Sequence, residues 1–159
     1  MFMRSRFPFL LLLVALSLVC SACSYGTDFV IVNRSVQPIV VRYRIRQFPG
    51  DFSPRDKPAT IAASNLDSHG GQEWKLLNSD QFQVDPELRT VTVRVSAGEA
   101  LRITTLHNYR GHDKTWAAGE FPVDEILISG ANGELKLTGQ QARITFAEVS
   151  RALYTLTYK

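Results

Sequence analysis

The sequence predicts an all-β fold, a single antiparallel β-sandwich that is Ig-like in architecture, with a small β-barrel as the alternative. Three observations carry that reading. Apolar and polar residues alternate with period two in several segments. Turn residues separate eight or nine such segments at sandwich-like spacing. No segment of useful length has helical periodicity.

Taken in order, residues 27–33 form the first strand, rich in β-branched side chains. Asn33 to Pro38 supplies the turn chemistry after it. The next strand is the clearest: Ile39, Val41, Tyr43 and Ile45 share one face, and Arg42, Arg44 and Arg46 the other. Over residues 47–71 Pro and Gly break the pattern, leaving 59–63 as a short edge strand. So long a connection is uncommon in a compact domain and is usually functional or disordered. Residues 72–77 read as a strand with Trp74 in the core or at its rim, and Asp85-Pro86 as a turn. Val91, Val93 and Val95, the Ala97-Gly98 turn, then Leu101 and Ile103 predict a β-hairpin. A second irregular stretch covers 107–120. Strands follow at 121–128, 134–138, 143–147 and 152–158, with a Gly130-Ala131-Asn132-Gly133 turn. At most one helical turn is expected, within 146–153.

Upstream lies a segment of secretory type. Arg4 and Arg6 form a basic head, residues 7–19 an apolar core, and Ser21 and Ala22 the small residues before Cys23. That core is shorter than the roughly 17–25 residues a spanning helix needs. As a redox pair, Cys20 and Cys23 lack the strand-and-helix setting such chemistry requires. On Ser21-Ala22-Cys23, with Cys20 where Leu is usual, the segment resembles the lipobox of bacterial lipoprotein precursors. The resemblance covers residues 1–24. It implies cleavage after Ala22, acylation of Cys23, and a lipid anchor in the cell envelope. Ser24 after the Cys implies the outer membrane, facing the periplasm. Ordinary secretion with cleavage near Ala22 is the alternative. The expected organisation is a signal peptide at 1–22, a lipidated Cys and spacer at 23–26, and a β-sandwich at 27–159. Ser24, Tyr25 and Gly26 span about 10 Å when extended, so the domain would sit close to the membrane.

Composition narrows the partners. Removing the signal leaves 137 residues, enough for one domain with a real core. The net charge of +3 falls to +1 without Arg4 and Arg6, so a nucleic-acid partner is not indicated. Beyond Cys23 the chain has no cysteine, and the fold must rest on its core alone.

Few constellations suggest chemistry. Arg42, Arg44 and Arg46 stand about 6.6–7 Å apart along one strand face, a basic row suited to an anionic surface or an envelope protein. Its plain reading is a solvated face neutralised by acidic neighbours. Tyr109, Arg110 and Trp116 form the best binding-loop candidate, being residue types that interfaces favour. Two His at 107 and 112, with Asp113 and His69, lack the enforced geometry of a metal site, so no metal or cofactor is expected. Ser96 and Ser129 lack a nucleophile elbow. Asp124 and Glu125 would point to opposite faces of a regular strand and make a poor acid–base pair. The chain is therefore expected to be a non-enzymatic, lipid-anchored interaction or assembly module. The alternative is a small-ligand or glycan binder with a pocket between residues 48–70 and 107–120, and a periplasmic hydrolase ranks last.

Overall fold

A computed structural model describes residues 26–46, 57–66, 72–107, 121–150 and 152–159. Two sheets pack face to face. One comprises β1 (Gly26–Asn33), β3 (Ala59–Ala62), β4 (Lys75–Leu76), β7 (Glu99–His107), β10 (Ala147–Ser150) and β11 (Leu153–Tyr158), in the order β10-β11-β1-β7-β3-β4. The other comprises β2 (Ile39–Ile45), β5 (Phe82–Asp85), β6 (Thr90–Val95), β8 (Val123–Gly130) and β9 (Gly133–Thr138), in the order β5-β6-β2-β8-β9. Pairing is antiparallel except between β1 and β11, which run parallel. The sheets do not close into a barrel.

Alternation builds the core between them. Ile39, Val41 and Tyr43 of β2 and Val91, Val93 and Val95 of β6 face Phe29, Ile31, Leu101, Leu156 and Tyr158 of the six-stranded sheet. At the end where β1 begins, Phe29 meets Phe121 and Phe146 edge-on, with centroids 5.0 and 5.5 Å away, and stacks on Tyr154 at 5.2 Å. Such geometry adds to the area these rings bury. At the opposite end Asn33, fully buried, ties the sheets together. Its amide donates to the carbonyls of Gln37, Val95 and Ser96, and its oxygen accepts from the Ser35 N–H and hydroxyl. Nearby, Tyr158 donates to the Gly133 carbonyl at 2.9 Å and presses on Gly130, where an added Cβ would lie 2.8 Å from the Tyr158 oxygen. Any larger residue there would push the Tyr158 ring aside.

Several expectations need correction. The predicted hairpin over 91–103 does not form, because β6 pairs with β5 and β2 whereas β7 pairs with β1 and β3. The turn between them is a corner from one sheet to the other. Its Gly98, at φ +73°, donates to the Asn33 carbonyl and accepts from the Ala63 N–H. β3 is not an edge strand, since the two-residue β4 lies outside it. Residues 143–147 are not a strand: α1 (Gln140–Ile144) buries Ala142 there, and Phe146 turns into the core. The expected helical turn within 146–153 is replaced by β10 and its hairpin to β11. β5, for which the sequence predicts no strand, pairs with β6 and takes in Asp85 of the expected turn.

Candidate functional site

The two outer faces of the sandwich differ. On the six-stranded sheet the unbroken run Phe29-Val30-Ile31-Val32 buries both faces of β1, as strands covered on both sides do. Outward-facing Val30 and Val32 join Ala100 and Leu153 in a second apolar cluster. A 3-10 turn, Ala63–Asn65, covers it together with Ile61, Leu66 and Trp74. Polar contacts pin this cover at the β7 side. The Trp74 indole donates to one Asp28 carboxylate oxygen at 2.9 Å, and the Thr105 hydroxyl to the other at 2.6 Å. The Arg102 guanidinium sits 5.2 Å from the Trp74 ring centre.

Among the described residues the cover stops short of β11 and leaves an open groove of about 350 Å³. Val32, Leu153, Thr155 and Thr157 make its floor. Ala63 and Leu66 form one wall, Val149 of β10 the other, and Arg34 stands just past the end of β1. The floor follows from β11's alternation: Tyr154, Leu156 and Tyr158 turn into the core, so Leu153, Thr155 and Thr157 turn outward. Among the described residues Arg34 is the only charged one lining the groove, and its guanidinium has no ion pair there.

The five-stranded sheet has no such cover among the described residues, and its outer face carries the arginine row. Arg42 and Arg44 lie opposite the core set of β2, as the alternation predicts. The row then divides. Arg46 Nε donates to Asp124 Oδ1 at 2.8 Å, and Arg44 Nη2 lies 3.8 Å from Glu125 Oε2, which Lys136 Nζ also approaches at 3.4 Å. A bulge permits both pairings. Arg44 registers with Glu125 and Ile45 with Val123, so Asp124 is the extra residue. The expected opposite orientation of Asp124 and Glu125 is thereby undone, and both carboxylates serve one row. Arg42 lies across from Thr92 and Leu127, and Arg94 across from Val40, each exposed and without an ion pair among the described residues. The paired arginines lie toward the end where β1 begins, and Arg94 toward the Asn33 end, where Ile39 meets Val95.

Cys23, Tyr109, Arg110 and Trp116 lie outside the described residues, as do His69, His112 and Asp113. Among the described residues no three His, Cys, Asp or Glu side chains converge as a metal site, and no helix is long and apolar enough to cross a membrane. No family model, no curated protein and no solved structure matches the chain. The groove residues were missed by the sequence reading. Their signal was the four-residue apolar run in β1, which asks for burial on both faces, followed by a strand whose outward set turns from Leu153 to two threonines.

Proposed function

We propose that this chain is a lipid-anchored envelope lipoprotein, held at Cys23, whose sandwich is a non-enzymatic interaction module for an acidic partner. The observation that carries the reading is the division of the arginine face. Arg44 and Arg46 are matched by carboxylates, whereas Arg42 and Arg94 stand exposed beside Val40, itself 41% exposed, and half-buried Leu127. Guanidinium forks beside apolar contact area suit a carboxylate-bearing protein surface. The unmatched charge lies away from the end where β1 begins, so it favours a partner in the periplasm over the bilayer beneath the anchor.

The test is cross-linking of the full chain in its own envelope at low and moderate salt, with mass spectrometry of the N-terminal peptide. An acylated Cys23 is expected, together with an adduct lost in Arg42→Gln/Arg94→Gln and retained in Arg44→Gln/Arg46→Gln. Equal loss in both pairs, or no adduct, refutes the interaction face; an unmodified N-terminus refutes the anchor. A second reading, small-ligand binding, draws on the groove over β1 and β11.

A further inference from the structure

We propose that the groove between the 3-10 turn and β10 binds a single aliphatic chain ending in an anion, with the chain along Val32, Leu153 and Val149 and the head at Arg34. This rests on the small-ligand reading and requires neither lipidation of Cys23 nor the arginine face.

Size and lining favour such a ligand. About 350 Å³ falls at the lower end of small-ligand sites, roughly 300–1,000 Å³. Five of the described lining side chains are aliphatic: Val32, Ala63 and Leu153 are already buried, and half-buried Leu66 with Val149, 49% exposed, supplies the apolar surface open to a ligand. A hydrocarbon laid in the groove withdraws that surface from water.

The floor argues against a peptide. It is the face of two paired strands, whose backbone groups are engaged sideways with each other, with β7 and, over residues 153–155, with β10. Strand addition needs an open edge, and here an extended peptide would find only the Thr155 and Thr157 hydroxyls. A hydrocarbon needs no such partners.

Charge selects the head. Among the described residues that line the groove none is a carboxylate, and Arg34 is the one cation. Its backbone N–H donates to the Tyr158 carbonyl at 2.8 Å, which fixes the base of its side chain beside β11. Arg34 lies eight residues beyond Gly26, roughly 25 Å along a strand. An acyl group attached near residue 26 by an ester or amide has no anion to set at Arg34, so the proposed occupant is a free amphiphile. A fatty-acid carboxylate and a lysophospholipid phosphate share this chemistry.

Envelope membranes carrying the full chain are incubated with photoreactive probes of equal chain length: a diazirine fatty acid, the matching fatty alcohol, and a lysophosphatidic acid analogue. Adducts are mapped by peptide mass spectrometry after irradiation. One or both anions should label Val32, Val149 and residues 153–157 about tenfold more than the alcohol, the scale of one charge-assisted hydrogen bond. The stronger of the two identifies the source. Arg34→Gln should abolish the excess over the alcohol, and Thr157→Trp, which fills the groove from an exposed position, should remove all groove labelling. Thermal melting checks both variants, and Val149→Trp replaces Thr157→Trp if the latter lowers Tm. Equal labelling by acid and alcohol overturns the anionic site yet leaves ligand binding standing. Labelling absent from the groove, or unchanged in the plugged variant, overturns both.

Discussion

The outward residues of β1 and β2 occupy equivalent places on the two sheets and meet opposite fates. On β2, Val40 and Arg42 are left to solvent; on β1, Val30 and Val32 are withdrawn from it beneath Ala63, Leu66 and Trp74. The cause lies in the pattern. β2 alternates, so one face is finished by its own side chains, whereas β1 is apolar on both faces and requires a cover from elsewhere in the chain. Where the cover ends before the sheet does, a groove remains. Among the described residues the two outer faces thus differ in kind, one carrying unmatched charge and the other an incomplete cover.

The largest expected effect breaks the comparison directly. Val30→Lys should cost about 3 kcal/mol or more, because it places an ammonium under the cover, whereas Val40→Lys should stay within about 0.5 kcal/mol. Chemical denaturation of the two variants checks this, and similar losses would remove the distinction between the faces. An intermediate effect isolates the cover. Trp74→Phe keeps an aromatic ring, though a smaller one, and removes the donor to Asp28, for an expected loss of about 1–2 kcal/mol. Hydrogen exchange should then rise in β3 and β4 and stay unchanged in β2 and β6. The smallest effect concerns the arginine row. Asp124→Asn should lose about 0.5–1 kcal/mol, since the pair with Arg46 is half-exposed, and the loss should shrink with added salt. Arg42→Gln should leave the melting temperature where it is.

Part of this was legible in advance. The alternation of β2 put Ile39, Val41 and Tyr43 inside and Arg42 and Arg44 outside, and the Gly130-Ala131-Asn132-Gly133 turn does join two paired strands. The corner after Val95 was not legible. Alternation, turn and alternation read the same whether two strands pair or part, and the choice is made by Asn33 and Ala63, both distant in sequence. The five residues of α1 are too few to show a helical period. The bulge at Asp124 left no mark either, because one extra residue changes facing without changing composition. The groove depended on how far a 3-10 turn reaches across a sheet, which is settled only when the layers meet.

The parallel pairing of β1 and β11 has a temporal consequence. Their register partners Asp28 and Leu153 stand 125 residues apart, and β11 separates β10 from the rest of its sheet. The six-stranded sheet therefore cannot be completed until residues 153–158 have emerged, however early β1 becomes available. Contacts of such long sequence separation slow folding. Until then the apolar run of β1 stays adhesive, a hazard for a nascent chain. During synthesis, the interval in which the edge of β1 that takes β11 stays unpaired is set by the passage of nearly the whole chain.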